Sequence, residues 1–235
     1  MSKHHDFLNP QCLPTTLDVF LVRRAVLDVL CAELMNFNGT VLDIGCGYMP
    51  YRSLLLSPPS RAERYIGLDL KNNTYRQADL EWDGHTIPLE SNSVHCAMAT
   101  EVFEHCPEPE IVMREALRVM KPGGLLFFTV PFLWPLHDVP HDEYRYTPFA
   151  LRRHLSNSRF QQINLKALGG YDASLAQMIG LWVRRRSMSA RKRALLSRLA
   201  VPIVRYLIRR DRPPLEFGES LMITGISGTA IKPPV

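Results

Sequence analysis

The sequence predicts an α/β fold: a seven-stranded, mostly parallel sheet with helices on both faces. Three observations carry that expectation. Short apolar runs alternate along the chain with segments whose apolar residues recur every three or four positions. The runs are apolar throughout, as strands buried on both faces require. The chain has 235 residues, 46% of them hydrophobic, enough for one large core or a core with an appendage.

The elements follow in order. The first dozen residues carry no periodic pattern and read as unanchored. Over 16–37, Leu17, Phe20, Leu21, Val26, Leu30 and Leu34 keep helical spacing. Thr15 or Thr16 can cap that helix, and Asn38 with Gly39 stops it. TVLDIGCG at 40–47 reads as the first strand. A helical stretch near 51–56 closes at Ser57, Pro58 and Pro59. The second strand is RYIGLDL at 64–70, the third lies near 76–79, and the fourth is SVHCAMA at 93–99. A helix over 109–120 is ended by Lys121, Pro122, Gly123 and Gly124. LLFFTVP at 125–131 is the fifth strand. A loop over 132–146 leads to a helix at 148–156 and a sixth strand at 160–168. The seventh strand falls around 221–231. The long segment 171–217 breaks the alternation. Four segments result: an N-terminal helical part (1–37), a core (38–170), a basic amphipathic insert (171–217), and the last strand with its tail (218–235).

Composition narrows the setting. The five cysteines are Cys12, Cys31, Cys46, Cys96 and Cys106. That odd number, without short paired spacings, argues against a disulfide framework or zinc module and suits a reducing compartment. No apolar run is long enough to span a bilayer, and MSKHHDF does not begin a secretory signal. The protein therefore reads as cytoplasmic. The net charge of +5 is unevenly spread. Residues 1–174 are net acidic, whereas 175–235 hold 12 Lys and Arg against 3 Asp and Glu. A partner carrying negative charge belongs with the C-terminal quarter.

In parallel α/β sheets, ligands lie beyond the carboxyl ends of the strands. Asp43, Gly45 and Gly47 stand at the exit of the first strand, and Asp69 ends the second. Glycines there permit a tight turn and a close ligand, and Asp69 is placed to take both hydroxyls of a ribose. A dinucleotide loop needs a third glycine where Pro50 stands, and no basic cluster for phosphates lies beside it. An acid opening the loop suits an amino-acid amine without phosphate, which points from a dinucleotide toward S-adenosylmethionine.

VLDIGCG, YIGLDL, IPLESNSVHCAMATEVFEH and ALRVMKPGGLLFFTVP, in that order and spacing, resemble the class I S-adenosylmethionine-dependent methyltransferases, of the type 11-like kind. The resemblance covers about 38–168 and implies a Rossmann-like sheet. It implies that Asp43, Gly45, Cys46 and Gly47 hold the methionine moiety and that Asp69 binds the ribose. Leu70 would lie against the adenine, and Asp83 or Asp79 would reach the adenine amino group. Thr100 and Glu101 would line the methyl-donor cavity. Two positions depart from the family: Met49 replaces its third loop glycine, and His95 replaces a frequent acid ahead of the fourth strand. PFLWPLHDVPHDEYRYTP at 131–148 is similar to a bacterial subgroup associated with glycan or envelope biosynthesis.

Methyl transfer is an in-line displacement that an enzyme aligns and shields from water, and a base is needed only for an acceptor that loses a proton. The loop after the fifth strand offers His137, Asp138, His141, Asp142, Tyr144, Arg145 and Tyr146. His141, then His137, is the candidate base, with a neighbouring acid to hold the tautomer. The competing reading is that HDEYRY packs the loop through local hydrogen bonds. No metal is expected, since these residues complete no recognised ligand spacing. Glu104 and His105 read as a cap and a structural contact ahead of the helix at 109, and the cysteines as packing residues.

In the basic insert, LAQMIGLWV runs into Arg184, Arg185 and Arg186, and Arg191, Arg198, Arg205 and Arg209 share one face of a helix. Pro202 kinks this segment or begins a second helix. Apolar helix plus arginines over 175–212 reads as a peripheral contact with an anionic membrane, suited to a lipid-linked acceptor. The alternatives are a lid or a dimer face. Nucleic acid fits less well. Trp182 and Tyr206 are too few for a stacking platform, and TEVF stands where the family's nucleic-acid amino-methylating members carry an NPPY-like motif. The sequence thus points to a methyltransferase of a small-molecule, glycan or lipid-linked acceptor. The competing readings are an RNA or protein methyltransferase, a non-catalytic S-adenosylmethionine-binding protein, and an aminopropyltransferase-like enzyme, which the basic tail disfavours.

Overall fold

A computed structural model describes residues 5–71 and 73–234. The strands are β1 (Asn38–Ile44), β2 (Arg61–Leu70), β3 (Leu80–Trp82), β4 (Val94–Thr100), β5 (Met120–Pro131), β6 (Gln161–Leu168) and β7 (Gly225–Ile231). They form one sheet in the order β3-β2-β1-β4-β5-β7-β6. The helices are α1 (His5–Leu8), α2 (Phe20–Glu33), α3 (Arg52–Leu55), α4 (Pro109–Val119), α5 (Pro148–Asn157), α6 (Tyr171–Arg185) and α7 (Ala190–Arg210). The chain falls into two compact units, one made of Val29–Val130, Pro135–Leu165 and Ser227–Val235, the other of Met1–Asp28, Pro131–Trp134 and Lys166–Ile226.

In the first unit, β1 pairs in parallel with β2 and β4, and β4 with β5. Leu42, Ile44, Leu68, Met98, Phe127 and Phe128 are fully buried between the covering layers, which is why these strands are continuously apolar. The register sets Asp43 beside Gly67 and Met98, and Thr100 beside Thr129. The carboxyl ends of β1, β2, β4 and β5 are thereby aligned, and the loops that leave them share one edge.

Several boundaries differ from the sequence expectation. β1 begins at Asn38, where a helix stop was expected, because Phe37 buries completely and turns the chain into the sheet. β3 lies at Leu80–Trp82 rather than near 76–79. Asp79 is occupied otherwise: its Oδ2 accepts from the Gly67 N–H at 2.8 Å, just before β2 begins to pair with β3 at Leu68 and Leu80. Lys121–Gly124 is not a turn ahead of β5 but a bulge within it. Val94 pairs with Met120 and Cys96 with Leu125, and Gly123 at φ +75° donates its N–H to Lys232 O. β7 starts at Gly225, not near 221.

The second unit is built on α6 and α7. Ala173, Ala176, Val183, Ala200, Val201 and Val204 pack with Cys12, Leu17, Phe20 and Leu21. The segment before α2 is therefore anchored, against expectation, and Arg205 donates to Cys12 O at 2.9 Å; residues 1–4 lie outside the described part. Asp211 closes the start of α6 by accepting from the Gly170 and Ala173 N–H groups. Pro202 does not begin another helix: it lies inside α7, which continues to Arg210. Among the described residues no helix is long and apolar enough to cross a membrane.

Candidate active site

The loop after β1 turns sharply because its backbone visits the left-handed region three times, with φ of +69° at Gly45, +51° at Gly47 and +52° at Met49. Met49 adopts a conformation that glycine takes easily, at the steric cost of an L side chain in that region. The Met49 side chain and the Cys46 thiol both lie against Gly67. Gly45 is needed for a second reason: a Cβ there would stand 2.6 Å from Val102 of the turn after β4. The Gly45 and Cys46 N–H groups both donate to Leu68 O, tying the loop to β2.

Asp43 is buried at the base of this loop. One carboxylate oxygen accepts from the Tyr65 hydroxyl of β2, and the other, Oδ1, is buried without a hydrogen-bond partner. Burial pushes the Asp43 carboxyl up to about 7; the Tyr65 hydroxyl opposes the rise and the Asp69 charge adds to it. Tyr65 was read as strand core, and its role follows only from the register, which sets Gly67 rather than a side chain beside Asp43.

Asp69 accepts from the Gly47 N–H at 3.0 Å on Oδ2 and from the Leu70 N–H at 2.8 Å on Oδ1. Each oxygen keeps a lone pair for a further donor, such as a vicinal diol. Leu70, at the end of β2, is half exposed. Asp83 lies in an exposed turn after β3, and its Oδ1 accepts from the His85 and Thr86 N–H groups, which lower its pKa. Asp79 is engaged instead by Gly67 and by Arg52, 3.4 Å away. Of the two acids considered for the adenine, Asp83 is the one with an uncommitted oxygen.

Thr100 ends β4, and Glu101 follows in the left-handed region at φ +55°. A non-glycine residue held there marks a constrained site. The Glu101 N–H donates to Thr129 O, which fixes the turn. Burial pushes its carboxyl up to about 7, opposed by the Thr129 hydroxyl and the Arg145 charge. Glu104, in the short 3-10 turn Phe103–His105, is fully buried. Its pKa is raised well above the ordinary value, by burial first and then by the Glu101 charge. Glu104 is not the cap expected of it, since Glu108 occupies the N-cap of α4.

The loop 135–146 closes over that turn. Glu143 and Tyr144 donate their N–H groups to Glu104 O, Tyr146 its hydroxyl to Phe103 O, and Tyr144 its hydroxyl to Pro107 O. These are the local bonds HDEYRY was expected to make. Arg145 grips Asp142 with both terminal nitrogens, at 2.7 and 2.8 Å, holding that carboxyl well below its usual range. Asp142 in turn lies 3.3 Å from His137 Nδ1. Burial and the neighbouring His105 lower the His137 pKa, keeping the ring neutral at pH 7. His141, ranked first from sequence, is exposed and contributes its backbone carbonyl, 2.7 Å from His105 Nδ1. The acid-backed histidine is His137.

Comparison with known proteins follows this geometry. Residues 42–128 match the family model described as a methyltransferase domain. The ubiquinone biosynthesis O-methyltransferase of Pseudomonas fluorescens is 32% identical over 117 residues, 47% of this chain and 46% of that protein. A 37.1 kDa protein of transposon TN4556 from Streptomyces fradiae is 34% identical over 130 residues, 51% of this chain and 37% of that one. The chain thus spans less than half the length of these relatives. Among solved structures, a methyltransferase from Archaeoglobus fulgidus superposes with a TM-score of 0.54 at 15% identity, covering 97% of both chains. Phosphoethanolamine N-methyltransferase 2 of Haemonchus contortus, solved with S-adenosylmethionine, gives 0.56 at 15% identity over 99% of this chain and 60% of that one. At such identities the superpositions speak for the fold. With the strand order and the loop after β1, the sequence match identifies residues 42–128 as a methyltransferase domain of the class I S-adenosylmethionine-dependent kind.

Proposed function

We propose that this protein methylates a small-molecule, glycan or lipid-linked acceptor, with Asp43, Gly45, Cys46, Gly47, Asp69, Leu70 and Asp83 forming the cofactor site. The observation that carries the cofactor site is the buried, unpartnered Oδ1 of Asp43 at the base of a loop turned by three left-handed residues. A buried carboxylate oxygen without a donor is costly, and a cationic α-amine or ordered loop donors would relieve it. Asp69 would take the ribose hydroxyls and Leu70 the adenine face. The bound cofactor supplies a methyl group on sulfonium, already activated for displacement.

The chain's own part is to orient the acceptor, exclude water and remove a proton where the acceptor is a hydroxyl. His137, neutral and backed by Asp142, suits proton removal better than His141. The name shared by the Pseudomonas relatives, ubiquinone biosynthesis O-methyltransferase, supports an oxygen acceptor on an apolar molecule. Calorimetric titration with S-adenosylhomocysteine tests the cofactor site. Micromolar binding that falls at least about tenfold, some 1.4 kcal/mol, in Asp69→Ala is expected. A folded protein that does not bind refutes the reading.

A second reading concerns α6 and α7. Tyr171, Leu175, Met178 and Trp182 on α6, and Leu195, Leu199, Ile203 and Tyr206 on α7, recur at helical spacing, and each is about half exposed. Arg186 lies over Trp182 and Arg210 over Tyr206, and Arg191, Arg198 and Arg209 are exposed along α7. Apolar stripes with arginines on the same helices suit the interface of an anionic bilayer, where a lipid-linked acceptor resides. Flotation with phosphatidylglycerol vesicles is the test. Binding to no vesicle removes the membrane from the proposal, and equal binding to neutral vesicles removes the part given to the arginines.

A further inference from the structure

Glu104 has neither a hydrogen-bond donor nor solvent at either carboxylate oxygen. Native folds supply such a group with a donor, a proton or a cation. Here the third option has ligands in place. Glu104, His105 and His137 each offer one ligand atom, and these atoms lie within 4.8 Å of one another.

The two imidazoles are set for the same purpose. His105 Nδ1 lies 2.7 Å from His141 O. A carbonyl only accepts, so Nδ1 carries the ring proton and Nε2 presents its lone pair. That nitrogen is 3.8 Å from Glu104 Oε1, so a lone pair faces a carboxylate with no positive charge between them. His137 Nδ1 lies 3.3 Å from Asp142 Oδ2, and Arg145 fixes that carboxylate from the far side. The His137 ring supplies the third ligand atom of the cluster. A backbone carbonyl bonded behind the His105 ring is the kind of outer contact that orients a metal-bound histidine, and on the other side Asp142 holds His137 by accepting its backbone N–H at 3.1 Å. The frame is rigid as well, since Glu143, Tyr144 and Tyr146 pin the backbone of Phe103 and Glu104.

We propose that Glu104, His105 and His137 bind a divalent transition-metal cation beside the carboxyl end of β4. Two imidazole nitrogens and one carboxylate favour manganese, iron, cobalt or zinc over calcium or magnesium. Three protein ligands leave coordination positions open. The chain spacing hides this site because one ligand comes from more than thirty residues beyond the other two. His141 enters it through its carbonyl rather than its ring. The site does not depend on the acceptor reading, but a metal on His137 would occupy the lone pair that proton removal by the same ring needs, so the two uses of His137 exclude each other.

The test uses the full chain, stripped with chelator and titrated with Mn2+ by calorimetry and water-proton relaxation. Manganese disfavours thiolates, which matters in a chain with five free cysteines. One equivalent should bind, with binding lost in Glu104→Gln and in His105→Ala and weakened about tenfold in Asp142→Asn. Thermal unfolding and S-adenosylhomocysteine titration report whether each variant is folded. Should the variants fail to fold, electron spin-echo modulation of Mn2+ on the wild type reads the two imidazole nitrogens directly. A wild type that binds no Mn2+, bound Mn2+ without imidazole nitrogen, or a folded Glu104→Gln that binds as tightly as wild type overturns the proposal.

Discussion

Two regions of this molecule break the usual partition of polar and apolar groups in opposite directions. At the carboxyl ends of β1 and β4, Asp43 and Glu104 hide carboxylate oxygens from water without donors. On α6 and α7, Leu175, Trp182, Leu199 and Ile203 hold large apolar surfaces in water. A buried carboxyl oxygen without a donor is the costlier anomaly, and it points to a ligand of fixed geometry that brings a donor or a cation. An exposed apolar stripe is cheaper and less directional, and it points to a surface. The contrast separates a site that recognises atoms from one that recognises a phase.

The largest effect expected is structural and lies at neither anomaly. In Gly180→Ala the new Cβ would meet Leu17 O at 2.3 Å, and backbone cannot yield as a side-chain tip can. A loss of about 2–3 kcal/mol in urea unfolding is expected. A neutral result would show that the α6 frame tolerates movement. Next, Tyr65→Phe removes the donor to Asp43 Oδ2 and should weaken S-adenosylhomocysteine binding about threefold to tenfold at pH 7, within the range of one ordinary hydrogen bond. Calorimetry reads it, and unchanged affinity would divorce Asp43 from the cofactor.

The pH response of Asp43 is smaller and has a definite sign. Its pKa is raised on folding from the ordinary 3.8 to about 7, so the folded state holds the proton more tightly than the unfolded chain. The associated stability is complete below the unfolded value and is lost as pH rises through about 7. Asp43→Asn should therefore flatten the decline of Tm between about pH 4 and 7, measured by calorimetric scans. A steeper decline would mean that Asp43 is ionised and paired in the fold. The smallest effect is expected on α7, where Ile203→Glu should change stability by no more than about 0.5 kcal/mol while reducing vesicle binding. Its neighbour Val204 is fully buried, so Val204→Ala should cost about 1–2 kcal/mol and spare the vesicles. If Ile203→Glu unfolds the protein, the stripe is packing rather than a surface.

The sequence alone determined the α/β class, most of the strands, the glycine loop and the acids at the ends of β1 and β2. Each rests on local chemistry: continuous apolar runs, glycines at a sharp turn, and a carboxylate at a fixed distance along the chain. The tertiary structure decided what depends on register and on segments far apart in the chain. It gave Asp43 its Tyr65 partner, engaged Asp79 with Gly67, and kept Met49 in a glycine's conformation. It set His137, not His141, against Asp142 and gathered Glu104 and His105 with it. It also divided the apolar residues of α7 between core and solvent, turning Leu196, Val204, Leu207 and Ile208 inward and Leu195, Leu199 and Ile203 outward. Helical periodicity names the faces of a helix, but only the neighbour that packs against one of them decides which face is buried.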